Sequence, residues 1–191
     1  YFGYSVSISG DGNSVIVGSY RDDTGTIPAG SAYIYKYNSG TSSWDETKLT
    51  ASAGAVYDYF GSSVSMSSDG NSVIVGARYE DDNGQESGSA YIYKYNSGTW
   101  DETKLTASDG SAGDFFGQVS MSSDGNSVIV GAYKADLAYI YKYNSGTDSW
   151  DETKLTVSDG DANANDYFGY SVSISADGNS AIVGADYDDD K

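Results

Sequence analysis

"YFGYSVSISGDGNSVIVG", residues 1–18, carries the pattern that decides the fold. "SVSIS" alternates strictly, with Val6 and Ile8 on one face and serines on the other, which is the period of a half-buried β-strand. "DGN" follows, and Asp-Gly between two such runs marks a tight hairpin turn. "SVIVG" is apolar on both faces, as expected of an interior strand covered on both sides. The same text returns as "YFGSSVSMSSDGNSVIVG" (59–76), "FFGQVSMSSDGNSVIVG" (115–131) and "YFGYSVSISADGNSAIVG" (167–184). Each copy is followed by an aromatic run, "AYIYKYNSGT" at 32–41, 90–99 and 138–147, and by "WDETKLT" at 44–50, 100–106 and 150–156. The last unit stops before both.

Each unit therefore reads as four strands and no helix: serine-rich, apolar, aromatic, then charged. No window sustains a 3.6-residue period. A charged fourth strand suits an outer edge that must resist unwanted pairing, and the gradient is that of a propeller blade from axis to rim. The expected fold class is all-β, with β-propeller blades of four antiparallel strands. The units are 1–58, 59–114 and 115–166, with a partial fourth, 167–191, that holds strands one and two only.

At these residues the chain resembles the FG-GAP repeats, named for Phe-Gly before the first strand and Gly-Ala-Pro after the second. Phe2-Gly3, Phe60-Gly61, Phe116-Gly117 and Phe168-Gly169 supply the first element. Gly76-Ala77, Gly131-Ala132 and Gly184-Ala185 supply the second, with Gly18-Ser19 in the first unit and no Pro in any copy. The resemblance covers essentially the whole chain and implies a β-propeller of the kind found in the heads of integrin α chains, used for adhesion and for binding protein or sugar. Those heads close with seven blades. Three and a half units are then expected either to form part of a larger propeller or to be completed by neighbouring copies, head to tail.

Composition narrows the chemistry. The 191 residues include no Cys and no His, and 28 acidic residues against 10 basic give a formal charge of −18. Without Cys or His there is no disulfide framework, thiolate site, imidazole ligand or His-activated nucleophile. Nucleic acid is not an expected partner, since it requires clustered Lys and Arg. No segment has the apolar length of a membrane span. Such acidity fits a salty or calcium-rich medium, so an extracellular or cell-surface setting is expected.

Several groups are candidates for chemistry. "SDGDANANDYFG" (158–169) places Asp161, Asn163, Asn165 and Asp166 in a D-x-N-x-N spacing that could turn oxygens toward calcium; a solvated acidic loop is the simpler reading. The hairpin "DGN" is too short for the family's calcium loop, so Asp11, Asp69, Asp124 and Asp177 read as turn residues. Loops after strand two carry Asp22, Asp23, Glu80, Asp81, Asp82, Asp188 and Asp189, which could gather divalent cations or simply stay wet. The third unit writes "VIVGAYKADLAYIY" (128–141) and keeps one acid there, Asp136, so a site repeated in every blade is excluded. Asp45-Glu46, Asp101-Glu102 and Asp151-Glu152 are paired acids, but neighbours on a strand face opposite ways and cannot converge on one bond; Glu46 and Lys48 share a face instead. The rows Tyr33/35/37, Tyr91/93/95 and Tyr139/141/143 could stack sugars, although packing between blades accounts for them more simply, as it does for Trp44, Trp100 and Trp150. The expectation is a non-enzymatic structural or adhesion module that binds other protein subunits or assembles with itself. A glycan- or calcium-dependent binding propeller is the alternative; a carbohydrate-active enzyme lacks a single unpaired acid cluster.

Overall fold

A computed structural model describes residues 1–22, 28–157 and 166–187. Among them are fourteen strands and no helix. The first sheet contains β1 (Ser5–Ile8), β2 (Ser14–Ser19), β3 (Ser31–Asn38) and β4 (Ser43–Leu49). The second contains β5 (Ser63–Met66), β6 (Ser72–Ala77), β7 (Ser89–Asn96) and β8 (Thr99–Leu105). The third contains β9 (Phe116–Met121), β10 (Ser127–Ala132), β11 (Leu137–Asn144) and β12 (Ser149–Thr156). A two-stranded sheet of β13 (Phe168–Ile174) and β14 (Ala181–Ala185) completes the order. Each four-stranded sheet is an antiparallel meander in chain order, and the charged strands β4, β8 and β12 lie at its outer edge. These are the blades of a β-propeller, as the sequence pattern predicts.

The apolar second strand is fully buried in blades two and three. One side chain set packs forward and the other backward. Ile16, Ala32, Ile34 and Leu49 of blade one form one core with Phe60, Val64, Met66, Val73 and Val75 of blade two. Ile74, Ala90, Ile92 and Leu105 of blade two meet Phe116, Val119, Met121, Val128 and Val130 of blade three in the same manner. Ile129, Ala138 and Ile174 begin a third such layer against the last unit. The cores therefore lie between blades, and no blade has one to itself.

Two recurrent contacts set the spacing. The penultimate glycine of β2, β6 and β10 faces the backbone of the next unit's Phe-Gly. A Cβ on Gly18, Gly76 or Gly131 would run into the carbonyl oxygen of Gly61, Gly117 or Gly169 respectively. Gly61 and Gly169 also hold φ near +90° and +99°, a region open to glycine and costly for other residues. The serine face of strand one bonds across to the next blade. Met66 N donates to Ser7 Oγ (3.2 Å), Val119 N to Ser63 Oγ (3.1 Å), Met121 N to Ser65 Oγ (3.1 Å) and Ile174 N to Ser120 Oγ (3.3 Å). Serine is small enough for close approach, and its hydroxyl satisfies edge amides that the meander leaves unpaired.

Gly76→Ala should accordingly destabilise the chain by roughly 2–4 kcal/mol in chemical denaturation, since backbone must move to admit the methyl. Gly184→Ala, which would meet only the flexible Ser171 hydroxyl nearby, should cost far less. Equal losses at the two sites would contradict the glycine contact.

Candidate functional site

The acids singled out from sequence are engaged one by one in the described residues. In blade one Asp22 Oδ2 accepts from Lys48 Nζ (2.6 Å) and from Tyr33 OH (2.5 Å). Burial alone would raise the Asp22 carboxyl, but the bonds from Lys48 and Tyr33 outweigh it and hold it down to about 2. In blade two Lys104 Nζ donates to Glu80 Oε1 (2.8 Å) and also binds Asp82, while Ser89 Oγ donates to the buried Glu80 (2.6 Å). Asp81 accepts from Glu86 N at 2.7 Å. In blade three the short loop between β10 and β11 brings no acid to this Tyr and Lys, and Asp109 arrives from the preceding segment instead. It accepts from Tyr139 OH (2.8 Å) and Lys154 Nζ (2.6 Å). The group of acid, strand-three Tyr and strand-four Lys thus survives loss of the loop that supplies it elsewhere. Asp136 is used differently, accepting from Phe168 N at 3.1 Å.

The paired acids are structural links. Asp45, Asp101 and Asp151 accept from Asn38, Asn96 and Asn144. Glu102 Oε2 accepts from Tyr93 OH (2.8 Å) and both its oxygens hold Ser52 of the preceding unit. Glu152 does the same with Tyr141 and Ser108. Glu46 and Lys48, which share a face, do not pair with each other: Glu46 accepts from Tyr35 OH (2.7 Å), and Lys48 pairs with Asp22. The hairpin acids close their own turns. Asp11 Oδ1 accepts from Ser9 Oγ (2.6 Å) and Asn13 N (2.9 Å), which lowers its carboxyl to about 2; Asp69, Asp124 and Asp177 repeat the motif.

No group of three acids able to hold a metal occurs among the described residues. Asp161, Asn163 and Asn165 of the proposed calcium loop lie outside them, as do Asp23, Asp188 and Asp189. Asp166 is described and buried, and its carbonyl accepts from Tyr187 N at 3.0 Å.

Aromatic residues divide into two sets. Tyr91, Tyr93, Tyr139 and Tyr141 are core, with Phe60 and Phe116 edge-on to them. Trp100 and Trp150 lie beneath Lys36 and Lys94 of the preceding blade, at 5.1 and 5.2 Å, whereas Trp44 is exposed beside Tyr37. The second set was not anticipated. Rings before each Phe-Gly and after each second strand join into a belt: Tyr20–Tyr59 (5.1 Å), Tyr59–Tyr79 (4.7 Å), Tyr79–Phe115 (4.9 Å), Phe115–Tyr133 (5.6 Å), Tyr133–Tyr167 (5.7 Å) and Tyr167–Tyr187 (4.7 Å). The chain fills this belt with its own cations. Arg21 lies over Tyr20 and Tyr59, Arg78 over Tyr79, and Lys134 over Tyr167 at 4.0 Å. The recurrence of a ring at both positions in every unit was the available signal.

Asp58, between blades one and two, is buried and accepts from Ala55 N at 2.5 Å. Burial, with Glu80 and Asp81 nearby, pushes its carboxyl up to about 6 from 3.8. A raised acid is held neutral by the fold, so its contribution is full below about pH 4 and is lost as pH rises through 6. Asp58→Asn keeps the acceptor and cannot ionise. Relative to the natural chain it should gain stability between pH 4 and 6, by up to about 3 kcal/mol at one pKa unit per ~1.4 kcal/mol. A constant difference across that window in urea titrations would refute the assignment.

The comparisons with known proteins agree with this architecture. Among solved structures the chain is similar to Kuenenia stuttgartiensis hydrazine synthase (15% identity, 95% of this chain, 55% of that chain, TM-score 0.57). It is similar also to a functionally unknown protein from Desulfotomaculum acetoxidans DSM 771 (11%, 94% and 47%, TM-score 0.55). A third is a 6-phosphogluconolactonase candidate from Bacteroides fragilis NCTC 9343 (18%, 93% and 46%, TM-score 0.54). The chain spans about half the length of these structures, and at such identities the likeness is one of fold. No curated protein matches. The FG-GAP repeat family model matches residues 1–35, 44–93, 100–147 and 150–191. With the Phe-Gly and second-strand glycines meeting across every blade junction, the chain belongs to the FG-GAP repeat family.

Proposed function

We propose that this chain is a non-enzymatic interaction module of an extracellular or surface setting, and that its two end faces pack against further blades of the same repeat type, supplied by another copy or by the same protein. One observation carries the reading: the two ends expose the two halves of the interface that joins the blades internally. On strand one, Val64 and Met66 are 8% and 6% exposed against blade one, whereas their counterparts Val6 and Ile8 are 67% and 60% exposed. On strand two, Ile16 is fully buried by blade two, whereas its counterpart Ile182 is 71% exposed. The faces are unlike and complementary, which is the geometry of a heterologous, head-to-tail contact. Apolar area of this kind contributes ~1.5–3 kcal/mol per large side chain when covered.

The non-enzymatic part rests on how the acids are used: hydrogen bonds or ion pairs to Lys, Tyr, Ser and Asn engage the turn, loop and paired carboxylates described above. The −18 charge supports a medium of high ionic strength.

In analytical ultracentrifugation the weight-average mass of the chain should rise with concentration. Val6→Asp combined with Ile8→Asp should return it to a monomer without loss of β-structure by circular dichroism. A natural chain that stays monomeric over the same range would overturn the reading.

A further inference from the structure

Beside the belt, one cleft repeats the carboxylates and tyrosines of the acid–Tyr–Lys groups with no Lys or Arg paired to its carboxylates. It has a volume of about 210 Å³, lies between the β6–β7 loop and the segment entering β5, and is lined by Val56, Tyr57, Tyr79, Asp81, Gln85 and Glu86. Its backbone is held firmly. Tyr57 N donates to Pro28 O (3.0 Å), Gly113 N to Gln85 O (2.8 Å), Phe115 N to Glu86 O (3.1 Å) and Glu86 N to Asp81 Oδ1 (2.7 Å). Tyr57 and Glu86 sit at φ of 70° and 58°, a left-handed conformation that costs a non-glycine residue and is maintained by these bonds. The Tyr57 hydroxyl, the Gln85 amide and the Glu86 carboxylate make no intramolecular hydrogen bond among the described residues.

Elsewhere the chain answers carboxylates beside a tyrosine with a lysine: Lys48 for Asp22 and Tyr33, Lys104 for Glu80, Asp82 and Tyr91, Lys154 for Asp109 and Tyr139. No described Lys or Arg forms an ion pair with Asp81 or Glu86, and none lies over the Tyr57 ring. Arg78 lies over the Tyr79 ring, at 5.3 Å, and pairs with neither carboxylate. We propose that this cleft binds an organic cation, an alkylammonium or guanidinium group, with Tyr57 supplying a ring face beside Tyr79 and with Asp81 and Glu86 supplying the charge. Both elements favour a cation over a neutral ligand, and the −18 field of the chain concentrates cations at its surface. A neutral sugar would cover two carboxylates without neutralising them. Among the described residues the cleft occurs in blade two, and blade three lacks the long loop. The proposal is independent of association through the end faces.

The test is an amide-resolved NMR titration of the full chain with Nα-acetyl-lysine methylamide, Nα-acetyl-arginine methylamide and cadaverine. The uncharged norleucine analogue and methyl β-glucoside serve as controls. Expected are saturable shifts confined to residues 56–57, 79, 81 and 85–86, with a Kd on the order of 1 mM, weakened by salt. Glu86→Gln, which leaves the backbone bonds in place, and Tyr57→Gly, which suits the positive φ, should each weaken binding about tenfold. Binding of the capped amino acids with silence from cadaverine identifies a side chain of a protein partner as the source; the converse identifies a free amine. Equal saturation by norleucine or glucoside, shifts spread over every acidic surface, or no effect of Glu86→Gln would overturn the proposal. Repeating the titration on the Val6→Asp/Ile8→Asp chain keeps the result readable whether or not the end faces associate.

Discussion

The structure depends on how closely one blade's backbone can approach the next. Gly18, Gly76 and Gly131 lie next to last in their strands, where any side chain would strike the carbonyl of Gly61, Gly117 or Gly169. That approach brings the serine hydroxyls of strand one within bonding distance of the next blade's edge amides. It also closes the aliphatic layers in which Ile16 meets Val64 and Ile74 meets Val119. Remove the glycine contact and both the hydrogen bonds and the apolar burial lose their spacing. Since each unit contacts its sequence neighbours, stability is approximately a sum of such junctions.

Around that spine the polar residues act as connectors. Glu102 and Glu152 reach back to Ser52 and Ser108, and Lys36 and Lys94 reach forward over Trp100 and Trp150. Charge that looks excessive in composition is thus largely assigned. The clearest case is blade three, where Asp109 replaces the acid lost with the shortened loop and keeps Tyr139 and Lys154 in place. Retention of the group despite a change of supplier points to the Tyr–Lys contact as a structural need of the blade rim.

The strands, the hairpins and the blade order were legible because they follow from period-2 alternation and Asp-Gly turns, both local properties of the chain. The Phe-Gly resemblance added the architecture. What remained hidden involves partners distant in sequence. Nothing at Asp109 marks it as the substitute for Asp22 or Glu80, since the match exists only once β11 and β12 are folded beside it. Glu46 and Lys48 share a face by alternation, yet each finds a better partner on another segment. The belt from Tyr20 to Tyr187 was written in every repeat, but its continuity depends on stacking between blades. The cleft at Tyr57 was illegible for a further reason: left-handed φ at Tyr57 and Glu86 is imposed by tertiary bonds, against local preference.

The central claim is that junctions between blades, more than hydrogen bonds within them, hold strand one. The chain contains its own control. Ser9 N bonds to β2, so the alternation turns Ile8 N to the open inner edge, where Met66 N, Met121 N and Ile174 N instead find Ser7, Ser65 and Ser120 of the preceding blade. Native-state hydrogen exchange, measured where the chain is monomeric, compares these four amides directly. The account predicts that Met66 and Met121 exchange at least about a hundredfold more slowly than Ile8, with Ile174 also protected. Exchange of Met66 and Met121 as fast as Ile8 would contradict it.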